Sequence, residues 1–192
     1  MQSGCSVHSR RERTAELPHI WCNGLVSLSF LLLCAVLLVI YLPPALVLAW
    51  VDGRERRLPN RWVALLTGAV GLALAVLTLM VPALRPGLAT AAVLALALGL
   101  GAILVSLLAP PLLGMGDAKT VPVVVLMSAA FGGEALIGAL LGIALVGGLI
   151  GMVVLGVTRR AGVRFAWGPV LLAGPFLGLL GAPLVRAALG TG

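Results

Sequence analysis

Charge is scarce in this chain of 192 residues: only 10% of them are charged, whereas 61% are hydrophobic and the mean hydropathy is +1.17. A soluble globular domain carries about 25% charged residues, so this class is excluded. Several apolar blocks reach the roughly 20 residues that a helix needs to cross a bilayer. The composition therefore predicts an all-α polytopic membrane protein, a bundle of about six transmembrane helices.

Side chains for metal and cofactor chemistry are also missing from the apolar blocks. The two histidines, His8 and His19, lie in the polar N-terminal segment, which excludes a zinc metalloprotease helix and a Ser–His couple. The three cysteines form no C-x-x-C pair, and no phosphate-binding loop of the G-x-x-x-x-G-K-[ST] type is present. We predict no metal and no cofactor.

The chain divides into a polar tail, residues 1–24, and a transmembrane domain, residues 25–192. Pro43 and Pro44 interrupt the first apolar block and are expected to kink it. The fourth block is only about half the length of a span. The six predicted blocks are Leu25–Trp50, Trp62–Leu84, Leu88–Leu113, Thr120–Phe131, Ala135–Val157 and Trp167–Leu189.

The net charge of +7 comes from basic residues in short segments between the blocks, which indicates membrane topology and not nucleic-acid binding. The loops after the first, third and fifth blocks hold most of the Lys and Arg, namely Arg54, Arg56, Arg57, Arg61, Lys119, Arg159, Arg160 and Arg164. These loops are therefore expected to face the cytoplasm. The arginines of the tail are discordant, so either the tail is translocated or the natural chain starts after Met1.

Asp52 and Asp117 are the only aspartates in the chain, and each lies where a predicted cytoplasmic loop meets a span. Taken singly, Asp52 is typical of a solvated loop charge and Asp117 of a helix N-cap. Taken together, two carboxyl groups on converging helix ends share one proton over a wide pH range. One then acts as a general base and the other as a general acid, which is the chemistry of aspartic peptide hydrolysis.

The residues around each aspartate form a motif. Gly114-Met115-Gly116-Asp117-Ala118-Lys119 places two glycines before the second aspartate, where they allow close approach of a substrate backbone. Lys119 lies about 200° around a helix from Asp117, so we expect it to contact the interface or the substrate and not to act as a counterion. Asp52 is followed by Arg57-Leu58-Pro59-Asn60, in which Pro59-Asn60 predicts a turn into the second span.

These motifs resemble those of the type IV prepilin peptidases, membrane aspartic proteases of the GxGD type. Asp52 with residues 57–60 resembles the first-aspartate motif of the family, and residues 114–119 resemble its G-x-G-D-x-K motif. A weaker likeness lies in Arg164-Phe165, Gly168-Pro169 and Gly174, at the opening of the last span. The resemblance covers roughly residues 30–190.

The resemblance implies that the protein removes the short basic leader of prepilin-like proteins at the cytoplasmic face of a bacterial inner membrane. Asp52 and Asp117 are then catalytic, and the residues implied to bind substrate or shape the site are Gly114, Gly116, Lys119, Arg57, Pro59 and Asn60. Larger members of the family carry a domain with two C-x-x-C pairs that is associated with N-methylation. This chain lacks those pairs and resembles the short, peptidase-only form seen with Flp/Tad-type pili.

Two alternatives remain open. In a non-catalytic transporter or pilus-assembly scaffold, Asp52 and Asp117 would be gating or anchoring charges. Among proteases, the presenilin-type enzymes have Tyr-Asp in their first motif, whereas Val51 precedes Asp52 here. Apart from a prepilin-like protein, the expected partner is membrane lipid.

Overall fold

A computed structural model of the chain describes residues 28–55, 59–109, 114–158 and 167–190. Every regular element among these residues is helical, which confirms the all-α prediction. The predicted tail, residues 1–24, and the predicted site residue Arg57 lie outside the described residues.

The described chain forms seven helices. The first, α1, occupies residues 28–55 and contains a π-helical turn, Val36–Tyr41, followed by the α-helical segment Leu42–Glu55. A short 3₁₀ turn, Pro82–Leu84, lies between α2 and α3. The remaining helices are α2 (Asn60–Met80), α3 (Arg85–Leu108), α4 (Met115–Ala130), α5 (Gly133–Thr158), α6 (Gly168–Leu172) and α7 (Gly174–Leu189).

Among the described residues, four segments are long and apolar enough to cross a membrane. They are Leu28–Arg54, Asn60–Met80, Pro82–Leu108 and Gly133–Val154. The fourth predicted block is the shorter helix α4, and the sixth is divided between α6 and α7. The chain therefore has the character of a membrane protein, while the count of six spans stays a prediction.

Two predicted boundaries differ from the structure. The fourth block was expected to start at Thr120, but α4 begins at Met115. The first main-chain hydrogen bond of α4 runs from the Ala118 amide to the Gly114 carbonyl. Because this bond does not depend on apolar side chains, the helix starts before the apolar block does. The sixth block was expected to be continuous from Trp167 to Leu189. It breaks at Ala173, because Pro175 lacks the amide that a continuous helix needs there.

The tandem prolines of α1 lie just after its π-helical turn. A proline lacks an amide hydrogen and crowds the carbonyl one turn earlier, so Pro43 and Pro44 disturb the regular hydrogen bonding of the preceding turn. There the amide of Leu42 donates to the Leu37 carbonyl, five residues back. The helix thus continues through both prolines, and the side chain of Tyr41 enters the core with 0% of its surface exposed.

The main core lies where α1, α2, α4 and α6 meet. On α2 the buried side chains recur at helical spacing, so one stripe faces the core while the rest of its surface is largely exposed. Exposed leucines and valines on the outer faces suit contact with lipid tails. Core residues with less than 5% exposure include Leu37, Tyr41, Leu48, Leu66, Val70, Leu74, Met127 and Leu172.

Glycines bring α5 and α7 into close contact. A Cβ atom added to Gly138 would lie 3.1 Å from the Gly178 carbonyl oxygen, and one added to Gly142 would lie 2.8 Å from the Cβ of Leu177. Small residues at this spacing let helix backbones approach one another. From Glu134 to Gly142 along α5 the contact on α7 moves back from Arg186 to Leu177, so the two helices are antiparallel.

Long-range contacts define two ends of the bundle. At one end, named the aspartate end, the contacts join Asp52 with Gly168 and Asn60 with Lys119. At the opposite end they join Phe30 with Phe131 and Glu134 with Arg186. Both sequence motifs therefore lie at the same end of the molecule.

Candidate active site

Asp52 lies close to the C-terminus of α1, and only 6% of its surface is exposed. Its Oδ2 atom accepts a hydrogen bond of 3.0 Å from the amide of Gly168, the first residue of α6. A Cβ atom on residue 168 would lie 2.5 Å from Oδ2 and 2.9 Å from Cγ of Asp52. Only glycine leaves room for the carboxyl group to reach this amide.

Asp117 is the third residue of α4, and its side chain is half-buried. The N-cap position belongs to Gly114 and makes no side-chain capping bond, so Asp117 does not have the N-cap role considered from sequence. A Cβ on Gly114 would lie 3.4 Å from Oδ2 of Asp117, which places this glycine beside the carboxyl group. The hydroxyl of Thr120 donates to the Asp117 main-chain carbonyl at 2.8 Å and holds the first turn of α4.

The two carboxyl groups interact electrostatically. Burial, and after it the negative charge of Asp52, raises the pKa of Asp117 from its usual 3.8 to about 6. Among the described residues, no Lys, Arg or His forms an ion pair with either aspartate. The site therefore retains a proton on Asp117 to a higher pH than an ordinary aspartate would.

Lys119 and Asn60 connect the two motifs. The Lys119 Nζ atom donates to the Asn60 Oδ1 atom at 3.0 Å, which joins the first turn of α4 to the first residue of α2. Pro59 is the N-cap of α2, and its carbonyl accepts hydrogen bonds from the amides of Trp62 (3.0 Å) and Val63 (3.3 Å). The predicted turn residues thus start α2 and bring Asn60 to the second motif.

Two predicted site residues remain, Gly116 and Arg57. Gly116 is half-buried and directly precedes Asp117 in the first turn of α4. Arg57 lies outside the described residues. In the part of the chain that the structure describes, no group of three His, Cys, Asp or Glu side chains comes together as metal ligands.

The sequence did not single out Gly168 as a site residue. Its contribution is a backbone amide, which leaves no side-chain signature, and it lies 116 residues from Asp52 in the chain. The signal present was the pair Gly168-Pro169 at the opening of the last apolar block. A glycine at such a position marks a close approach of backbone to another group.

Three tryptophans surround the aspartate end. Trp50, Trp62 and Trp167 are at least 36% exposed, and each lies within a few residues of Asp52, Asn60 or Gly168. The guanidinium carbon of Arg54 lies 4.4 Å from the centre of the Trp50 ring, a cation–π contact. Exposed tryptophans with neighbouring basic residues are typical of a membrane–water interface.

Comparisons of the chain with family models, with curated proteins and with solved structures give no match. The function is therefore inferred from the geometry of the two aspartates and from the motifs that contain them.

Proposed function

We propose that the protein is a membrane aspartic endopeptidase that removes the basic leader of prepilin-like proteins. The observation that carries the proposal is the convergence of Asp52 and Asp117, the only aspartates of the chain, at one end of the bundle, where the charge of one raises the pKa of the other. Both lie in motifs that resemble those of the prepilin peptidases. Structural charges usually have a partner of opposite sign, so two acids placed together favour catalysis.

The surroundings of the two carboxyl groups support a division of their proposed roles. Asp52 accepts a hydrogen bond from the Gly168 amide, which stabilises a negative charge on its Oδ2 atom. The carboxyl group of Asp117 has no hydrogen-bond partner among the described residues, and its raised pKa favours the protonated form. We therefore propose that Asp52, which has the amide donor, acts as the general base and that Asp117 acts as the general acid.

The reaction uses one water and no further reactant. Asp52 takes a proton from the water as its oxygen attacks the scissile carbonyl carbon, and Asp117 gives its proton to the carbonyl oxygen. The C–N bond then breaks, Asp52 passes its proton to the leaving amine, and Asp117 recovers a proton from the diol intermediate. The pair ends in its starting state, with one proton between two carboxyl groups.

Two further features support cleavage at the edge of the membrane. The tryptophans of the aspartate end mark it as an interfacial region, and the distribution of Lys and Arg favours the cytoplasmic side. In this arrangement α4 from Thr120 onward is the fourth of six membrane passes and the α6–α7 pair is the sixth, so Asp117 lies at the interface before the fourth pass. A prepilin, with a basic leader before an apolar helix, would lie along the bundle with its cleavage junction at the interface.

The predicted site-shaping residues have structural roles in this proposal. The absence of a side chain at Gly114 leaves space beside the Asp117 carboxyl group, where an extended substrate backbone would pass. The Lys119–Asn60 hydrogen bond fixes the first turn of α4 relative to α2. The chain has no C-x-x-C pairs, so we propose peptidase activity alone, without methylation of the new N-terminus.

The proposal is tested by co-expression with a tagged prepilin-like protein from the same genome, with leader removal followed by gel shift and N-terminal sequencing. The enzyme variants are Asp52→Asn and Asp117→Asn, and Glu134→Gln is the control because it neutralises an acid at the opposite end. With matched expression, each aspartate variant is expected to lose roughly 10³-fold in cleavage rate, while the control cleaves normally.

Two results would contradict the proposal. If either aspartate variant cleaves at the wild-type rate, the shared-proton mechanism is wrong. If the wild-type protein cleaves none of the prepilin-like proteins, the transporter or scaffold alternative is favoured.

A further inference from the structure

Tyr41, the only tyrosine in the chain, lies in the core at the end of the π-helical turn of α1. Its hydroxyl group donates a hydrogen bond of 2.9 Å to the carbonyl of Leu172, the last residue of α6. The ring also packs against Phe176, with 6.2 Å between ring centroids. A buried hydroxyl bonded to a main-chain carbonyl 131 residues away is a specific link between α1 and α6.

The break between α6 and α7 explains why the Leu172 carbonyl is available. In a continuous helix it would accept from the amide of Phe176, but that amide donates to the Ala173 carbonyl at 3.1 Å. Pro175 has no amide hydrogen and cannot replace it. A buried carbonyl without a partner is costly, and the Tyr41 hydroxyl supplies the missing donor.

The same short helix also begins at the active site. Gly168, its first residue, donates its amide to Asp52, and Leu172, its last residue, accepts from Tyr41. Tyr41 and Asp52 lie about three turns apart on α1, so both face α6. Two side chains of α1 thus hold the two ends of a five-residue helix, and a shift at one end moves the other.

We propose that Tyr41 is a positioning residue for the active site: through Leu172 and α6 it sets the position of the Gly168 amide against the Asp52 carboxylate. The inference rests on the proposed function for its catalytic consequence. Tyr41 is fully buried, so its effect reaches substrate only through Asp52. Loss of the hydroxyl should therefore slow the chemical step and leave substrate binding unchanged.

The test is Tyr41→Phe, which keeps the ring and its packing against Phe176 but removes the hydroxyl. The matched control is Ser128→Ala, because the Ser128 hydroxyl is also buried and donates to a main-chain carbonyl, that of Val124 at 2.7 Å, within α4. Kinetics on a purified prepilin substrate and thermal unfolding are measured for both variants. Tyr41→Phe is expected to lower kcat roughly tenfold with an unchanged KM.

The control separates positioning from general stability. Ser128→Ala also removes a buried hydroxyl, but it leaves both ends of α6 bonded, so kcat is expected to stay at the wild-type value whatever the change in unfolding temperature. Equal kcat values for Tyr41→Phe and the wild type would overturn the inference. So would a rise in KM without a change in kcat.

A second readout does not need peptidase activity. With ¹³C-carboxyl-labelled aspartate the protein gives only two carboxyl signals, from Asp52 and Asp117. Tyr41→Phe is expected to move the Asp52 titration midpoint, because its hydrogen bond to Gly168 changes, and Ser128→Ala is not. If no prepilin is cleaved, the proposed function fails. An unchanged titration midpoint of Asp52 in Tyr41→Phe would separately overturn the positioning role of Tyr41.

Discussion

One end of the bundle pairs its acid with a base, and the other end places two acids together. At the opposite end, Glu134 lies 3.5 Å from Arg186, with side chains 31% and 55% exposed. At the aspartate end, Asp52 is buried and bonded to a backbone amide, and its charge raises the pKa of Asp117, with no ion pair among the described residues. The first arrangement suits a helix connection in contact with water. The second arrangement keeps a proton on Asp117 to a higher pH than an ordinary aspartate would.

The two arrangements differ in their effect on stability. A solvent-exposed ion pair contributes about 0–1 kcal/mol to the free energy of unfolding. A buried and a half-buried carboxyl group without a cation oppose folding whenever both are ionised. Sites that depend on such unfavourable placement are commonly functional. The comparison predicts that substitutions at the two ends change different properties of the protein.

After loss of either aspartate, the largest effect is expected for Gly168→Ala. The added Cβ would lie 2.5 Å from the Asp52 Oδ2 atom, so the carboxyl group or α6 must move. A displacement of this kind is expected to reduce prepilin cleavage by roughly 10²-fold. Cleavage kinetics and thermal unfolding of the purified variant measure the effect.

Gly53→Ala is the matched control, because Gly53 neighbours Asp52 in α1 and a Cβ there meets nothing within 4 Å. It is expected to cleave at the wild-type rate and to be slightly more stable, since alanine favours the helix. Equal activity of the two alanine variants would show that the Gly168 amide has no part in the site.

The next effect is a pH-dependent gain in stability for Asp117→Asn. The folded-state pKa of Asp117 is raised to about 6, above its usual 3.8, so the folded state binds this proton more tightly than the unfolded state does. The resulting stability is present below about pH 4 and is lost as the pH rises through 6. The wild-type unfolding temperature should therefore fall between pH 5 and pH 8, and that of Asp117→Asn should fall less.

This comparison is made by thermal unfolding in detergent at both pH values. At pH 8 we expect the Asp117→Asn variant to be more stable than the wild type and inactive. If the two proteins show the same pH dependence, Asp117 is not the group that carries the raised pKa.

The smallest effect is expected at the opposite end. Glu134→Gln removes the ion pair with Arg186, and because both side chains are partly exposed it should lower the free energy of unfolding by less than about 1 kcal/mol. Cleavage should be unaffected at any pH. A large loss of activity in this variant would show that the two ends are coupled and would remove the contrast between them.

Much of this arrangement was predictable from the sequence. The helical class follows from the apolar blocks, and the glycines of α5 and α7 indicate close packing through Gly138 and Gly142. The two aspartates were identifiable because the chain contains no others and because each lies in a motif. Their common end follows from the alternating direction of successive spans.

The contacts that define the site were not predictable. The Gly168 amide and the Leu172 carbonyl are main-chain groups, and their partners lie more than one hundred residues away in the chain. The helix breaks before Pro175 but continues through Pro122 and Pro183, so a proline in an apolar block does not by itself give the position of a break. The tandem prolines indicate a disturbed helix, but not that the turn before Pro43 is π-helical.

The most direct test of the central claim is the titration of Asp117 with and without the charge of Asp52. In protein labelled with ¹³C-carboxyl aspartate, the Asp52→Asn variant leaves one signal, which belongs to Asp117. We predict a midpoint near pH 6 for Asp117 in the wild-type protein and a lower midpoint in Asp52→Asn, because the repelling carboxylate is gone. An identical midpoint in both proteins would show that the carboxyl groups do not interact and would contradict a shared catalytic site.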